Sequence, residues 1–209
     1  MKPIILQCSS CNEKLSFAES SVLYHCVNCS KWFEPLEGTL IEVQFIQLEP
    51  QITEPVQFHL PFRAFSLCTS IDGDEKERVQ RAQDFADNFS IVYVQAFRSR
   101  SLVNYFDWGM LYTQKKLELK GPTVYCPPSL GWCSRSIEEC WPFARAFMMS
   151  FIDNYVDVTD LEITCALNSP KLVAVPFSAN EQLIRDCCLG ESVPSVYIEG
   201  IPKQKHKDD

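Results

Sequence analysis

The sequence predicts an α+β fold, in which a small N-terminal metal-knuckle module precedes a mixed or antiparallel sheet domain with two to three packed helices. Three observations predict it. Two C-x-x-C pairs, Cys8/Cys11 and Cys26/Cys29, stand near the N-terminus. Beyond Pro55, apolar runs of period two alternate with amphipathic stretches of period 3.6, which interleaves strands with helices. The chain has 209 residues, 46% hydrophobic and 12% aromatic, enough for one ordinary domain plus a small module.

Taken in order, Ile4–Gln7 and Val22–His25 are short apolar runs, each leading into a cysteine pair, and Lys31–Glu34 is a further short strand. Glu37-Gly38 makes a turn and closes the first module, residues 1–38. Thr39–Leu48 reads as one long strand with Ile41, Val43 and Phe45 on one face, and its alternation slips at Ile46, as a bulge would cause. Glu49-Pro50 to Glu54-Pro55 is a proline-bracketed connection. Val56–Ser70 is extended, interrupted at Pro61. Asp74–Asn88 is a helix with Val79, Ala82, Phe85, Ala86 and Phe89 in one stripe and Asp72 or Asp74 as N-cap.

Ser90–Phe97 is an apolar strand. Ser101–Lys116 fits a helix that gathers Leu102, Tyr105, Phe106, Trp108 and Tyr112 on one side, with Gly109 inside it. Thr123–Cys126 is a short strand. Ser136 with Glu139 forms a capping box, and Ile137 to Ile152 keeps the helical period for four turns around Pro142. Leu161–Leu167, a turn at Asn168-Ser169-Pro170, and Lys171–Phe177 read as a hairpin. Residues 179–189 fit a helix or a strand; the strand, paired in a hairpin with Val193–Ile198, is preferred because Val196, Tyr197 and Ile198 need a neighbour. The α+β domain thus spans 39–201, and 202–209 is expected to be a disordered tail.

The cysteine pairs carry chemistry. Two residues between cysteines let a tight knuckle aim both sulfurs at one ion, and two knuckles complete a tetrahedral thiolate set. Cys8, Cys11, Cys26 and Cys29 are therefore the candidate ligands of one structural Zn2+, with a rubredoxin-like iron site and redox disulfides as rivals. Across residues 4–34 the chain resembles the zinc-ribbon superfamily, through the knuckles Cys8-Ser9-Ser10-Cys11 and Cys26-Val27-Asn28-Cys29. The glycine common after each second cysteine is replaced by Asn12 and Ser30. Residues 56–177 resemble uncharacterised bacterial proteins that pair such a ribbon with strands ending in Leu-Pro-Phe, here Leu60-Pro61-Phe62 and Val175-Pro176-Phe177. That resemblance implies no activity. Four strands share an apolar run stopped by proline or an aromatic, either by coincidence or through duplicated strand–helix units.

Other cysteines invite a functional reading. Cys126, Cys133 and Cys140 are evenly seven apart and could suggest a second metal site. However, Cys140 falls on the apolar stripe of a helix and Cys126 in an apolar strand, where cysteine serves as a small apolar residue. Cys187-Cys188 could be a redox or soft-metal pair, but adjacent side chains rarely converge on one ion. Cys68 and Cys165 read as core. His59, alone in a strand, reads as structural, and no nucleophile, base and orienting group assemble. The segment Tyr105-Phe106-Asp107-Trp108 with Tyr112 is either core or an interaction surface.

The net charge is −8, and residues 1–38 carry three cationic against four anionic side chains. Phosphate-backbone binding needs clustered positive charge, so nucleic acid is not an expected partner. No apolar run reaches the roughly 20 residues a bilayer requires, so no membrane insertion is expected. Paired metal-ligand cysteines without a secretory h-region point to the cytoplasm. The function expected is a zinc-binding, protein-interaction or scaffold module. An enzyme with a dispersed site and a nucleic-acid-associated ribbon factor are the alternatives.

Overall fold

The structure is a computed structural model and describes residues 6–17, 21–99, 107–125, 127 and 129–198, apart from the side chain of Ser169. Among these residues it is an α+β fold of two sheets and three helices. The first sheet is antiparallel, in the order β1 (Ser16–Phe17), β2 (Tyr24–His25), β3 (Trp32–Leu36), β4 (Thr39–Val43). The long strand expected over Thr39–Leu48 is two strands. After β4 the chain leaves the first sheet at Gln44, and β5 (Phe45–Gln47) joins the second. The break thus falls at Gln44 and not at Ile46, and its cause is a change of sheet.

The second sheet is organised around one long pair. β6 (Phe58–Asp72) and β9 (Glu162–Ala179) run antiparallel along the whole of β6, and the last residues of β9 continue beyond it. β7 (Ile91–Gln95) lies on the other side of β6, while β5 lies parallel to β9 and carries β8 (Thr123–Val124). β10 (Leu183–Asp186) pairs with the end of β9 and with β11 (Ser192–Pro194). Residues 183–194 therefore form the preferred hairpin, but Ser195–Tyr197 is a 3-10 turn, so the second strand stops short of Ile198.

Two proline readings are corrected by tertiary context. β6 runs through Pro61 because that residue's carbonyl accepts from Ala96 N on the β7 side, 3.1 Å. N and O of one strand residue point the same way, and the β7 ladder begins only at Phe62, so no N–H is required of Pro61. The expected hairpin at Asn168-Ser169-Pro170 is instead a bulge. Asn168 pairs with Ser66 and Lys171 with Ala64, leaving two β9 residues opposite Phe65 alone. The Leu-Pro-Phe likeness also gains a plain account: Phe58–Phe62 and Val173–Phe177 are direct cross-strand partners, with Phe58 opposite Phe177. β6 is followed by a helix and β9 by a hairpin, so they are not copies of one strand–helix unit.

The helices cover this sheet. α1 (Lys76–Ala86) buries Ala82 and Ala86; its N-cap is Glu75, without a side-chain cap, in place of Asp72 or Asp74. α2 (Trp108–Gln114) lies on the edge of β7, where Tyr93 N donates to Thr113 Oγ1 at 2.9 Å. The remainder of the helix expected from Ser101 falls outside the described residues. α3 (Ile137–Tyr155) opens with the expected capping box: Ser136 Oγ accepts from Glu139 N, and Glu139 Oε2 from Ser136 N. Pro142 lies inside α3, beyond its first turn.

One face of the second sheet packs Leu60, Phe62, Tyr93, Val173 and Val175 against Trp108 and Tyr112. The other packs Phe65, Val92 and Val94 against Cys140, Ala144 and Met148 of α3. A third cluster joins the sheets, with Trp32 and Val43 of the first, and Leu23 just before β2, against Phe45, Leu172 and Ala174 of the second. No helix among the described residues is long and apolar enough to cross a membrane.

Candidate metal centre

The four predicted ligands come together. Cys8, Cys11, Cys26 and Cys29 place their sulfurs within 4.8 Å of one another. Two of the separations are 3.5 Å (Cys8 to Cys29) and 3.4 Å (Cys11 to Cys26). A tetrahedral ion with metal–sulfur bonds of about 2.3 Å needs sulfurs about 3.8 Å apart, so the donor set fits a metal ion.

The two knuckles have the same backbone design. Cys8 O accepts from Asn12 N and Cys26 O from Ser30 N, both at 2.8 Å. Cys8 N donates to Glu13 O and Cys26 N to Lys31 O, again at 2.8 Å. Each loop closes through a left-handed residue, Asn12 at φ 61° and Ser30 at φ 58°. These are the positions where glycine is common in the superfamily the sequence resembles. Asn tolerates this conformation well and Ser less well, so the fold accepts some strain at Ser30 to aim Cys29. Lys31 Nζ ties the second knuckle to the first through Ser10 Oγ at 2.9 Å and to β4 through Glu42 at 2.7 Å.

The thiols are electrostatically unequal. Burial opposes ionisation of Cys8, but the N–H groups of Ser10 and Cys11 and the neighbouring thiols outweigh it and bring its pKa down to about 6. Burial and the sulfurs of Cys8 and Cys26 push Cys29 up to about 12. A divalent cation would remove this asymmetry by holding all four as thiolates. Leu15 and Phe33 are buried around the site, so the module has only a small apolar core of its own.

A buried ion pair that the sequence reading missed fastens this module to the rest. Glu34 of β3 and Arg63 of β6 are each 1% exposed. Arg63 Nη2 donates to Glu34 Oε1 at 2.6 Å and Nη1 to Oε2 at 3.1 Å. Arg63 also donates to Arg135 O, and Glu34 Oε1 accepts from Ile137 N, the first residue of α3. Burial works against the guanidinium while the Glu34 carboxylate favours its charged form, and its pKa lies above the ordinary value. The available signal was a lone arginine in the apolar run Phe62-Arg63-Ala64-Phe65.

The remaining candidates separate. Cys133 and Cys140 are buried near Arg63, and burial raises their pKa values to about 12 and about 11, the state of inert core thiols. Cys126 lies outside the described residues. Cys187 and Cys188 are buried in the turn that Asp186 closes by accepting from Cys188 N and Leu189 N. Cys165 is buried, but Cys68 is exposed, against the core reading. His59 is 3% exposed within β6. Trp108 and Tyr112 are core, which removes them as an interaction surface; Tyr105 and Phe106 lie outside the described residues. Exposed aromatic area sits elsewhere. Phe17 (60% exposed) and Trp132 (45%) line a cleft beside the first sheet, together with His25 and Trp32, whose rings lie 4.6 Å apart at a tilt of 38°.

No family model, curated protein or solved structure matches this chain.

Proposed function

We propose that this chain is a cytoplasmic zinc protein in which Cys8, Cys11, Cys26 and Cys29 hold one structural zinc of zinc-ribbon type. Its role is that of a protein-interaction or scaffold module. The observation that carries the metal reading is the pair of matching knuckles converging four sulfurs on one point. Four cysteines fill a tetrahedral set and leave no open position, which favours a structural ion over a catalytic one. For a module with so small a core, the metal's binding energy is folding energy. The interaction reading is supported by Phe17 and Trp132, large exposed aromatics that line one cleft.

Elemental analysis of the purified chain should find one zinc, and Cys11→Ser or Cys29→Ser should release it and unfold the module. Iron with a visible thiolate absorption band, two zincs, or unchanged zinc in either variant would overturn the metal reading. For the interaction role, affinity capture from the native cell is compared between the wild type and Phe17→Ser with Trp132→Ser. A partner retained at wild-type level by the double variant would remove this cleft as the docking surface.

A further inference from the structure

The first half of β9 is an open edge of the second sheet. In the facing part of β6, Leu67 N donates to Ser90 O, Ile71 N donates to Gln83 Oε1, and Thr69 O accepts from Gln83 Nε2. These residues therefore turn their backbone groups away from β9. The alternate residues Ser66, Cys68, Ser70 and Asp72 turn toward it, to their partners Asn168, Ala166, Thr164 and Glu162. That parity leaves the N–H and C=O groups of Ile163, Cys165 and Leu167 pointing outward. β5 first pairs with β9 at Leu172 and β10 only at Phe177, and among the described residues nothing else bonds to these groups. Gln83 and Ser90 cover the matching edge of β6, whereas this one is bare. A row of unpaired strand groups is a template for another strand.

An apolar flank borders this edge. α3 shares a core cluster with Cys165 and Leu167 through Cys140, Ala144 and Met148. Its flank toward β7 carries Phe143, under the guanidinium of Arg135, which in turn donates to Gln95 O. The opposite flank carries Trp141, Arg145 and Met149 at helical spacing, and Arg145 stands close enough to Cys165 to act on it electrostatically. Trp141 and Met149 are exposed, at 36% and 38%. Pro170, Lys171 and the bulge, features that protect an edge from pairing, lie only at its far end.

We propose that this edge pairs with the same edge of a second copy of the chain, antiparallel about a dyad at Cys165, so that one sheet runs through a dimer. In that register Cys165 faces Cys165 of the second copy and Ile163 faces Leu167, and every outward N–H and C=O gains a partner. The side chains agree with it. Ile163 meets Leu167 on the helix-covered face, while Thr164 meets Ala166 and Glu162 meets Asn168 on the exposed one, with no like charges opposed. Lys171 is carried toward the turn that holds Asp160 of the second copy. A cleft of about 360 Å³ bordered by Gln44, Pro170 and Lys171 lies at that end and leaves room for the turn. The dyad keeps both α3 helices on one face, with their Trp141 and Met149 flanks toward each other. This pairing depends neither on the metal nor on the cleft lined by Phe17 and Trp132.

Analytical ultracentrifugation of the full chain, with its native metal and in reducing buffer, tests it. The mass should approach twice 24.0 kDa at about 100 µM and fall toward 24.0 kDa on dilution, as for an interface with a micromolar Kd. Thr164 and Ala166 are exposed, so charges placed there leave the fold in place. Thr164→Lys with Ala166→Lys sets like charges face to face across the dyad and should raise Kd at least about tenfold. Thr164→Glu with Ala166→Lys sets opposite charges there and should keep the dimer at wild-type strength or better. Trp141→Ser should also raise Kd, and it serves as the disruptive variant if the lysine pair does not fold. A monomer at every concentration would leave the edge to another protein's strand and overturn the proposal. A dimer unweakened by the disruptive variants, or weakened equally by both charge pairs, would overturn it as well.

Discussion

Replacing Glu34 by Gln tests how the metal module and the larger sheet hold together. The substitution keeps the side chain's volume but leaves the Arg63 guanidinium buried without a counter-charge. The amide also presents an NH2 where one carboxylate oxygen accepted, so a donor faces Arg63 or the N–H of Ile137. Removing one partner of a buried pair costs about 3–5 kcal/mol, against a total stability of about 5–15 kcal/mol. For a chain of this size that lowers the thermal midpoint by about 10 °C. Guanidinium denaturation followed by circular dichroism measures it, with release of the metal to a chromogenic chelator read in parallel. The companion variant, Glu34→Leu with Arg63→Met, removes both charges together and should recover most of the loss, since apolar replacement of a whole buried pair is about neutral or better. A loss below about 1 kcal/mol for Glu34→Gln, or a double variant no more stable than the single one, would refute the argument.

Stripping the metal should act on the same junction. Helical signal from α1 and α3 persists after chelation, because their burial does not involve the ion, but the remaining transition moves to lower denaturant. Complete loss of helix on chelation would refute the proposed division at residues 38/39 into two folding units. Gly109→Ala should destabilise, because the added Cβ would stand 2.5 Å from Tyr93 O, where α2 rests on β7. Overpacking of about 1–3 kcal/mol exceeds the helix-propensity gain of about 1 kcal/mol, and a raised midpoint would contradict the close approach. Ser136→Ala should cost about 1 kcal/mol through loss of the α3 capping box, measured as a lowered denaturation midpoint. Burial raises the pKa of Asp186, and its hydrogen bonds from Cys188 N and Leu189 N only partly offset this. Its folded pKa therefore lies above the unfolded value, so its contribution is complete below about pH 4 and is lost as pH rises through the folded value. Asp186→Asn should flatten that decline, and identical pH profiles in the two proteins would refute it.

The four-cysteine cluster was legible in the sequence because its information is local. Two residues between paired cysteines fix each knuckle, and nothing remote is needed to aim the sulfurs. α3 was legible for the same reason, since Ser136 and Glu139 cap it within one turn and the apolar stripe repeats every three or four residues. Strand connectivity was not local. Asn168-Ser169-Pro170 has the composition of a turn, and only the length of β6 opposite it makes those residues a bulge in a continuous β9. Thr39–Leu48 carries one alternation, yet its two halves belong to different sheets, because hydrogen-bond partners far along the chain decide which edge each half joins. Glu34 and Arg63 lie 29 residues apart, and neither has a local pattern that names the other. The sequence alone determined the four-cysteine cluster, the capped helix and the α+β class, all written in short-range spacing. Tertiary structure decided the sheet order, the bulge, the burial of Trp108 and the ion pair between the sheets. Each of these arises only when distant segments exclude water from one another.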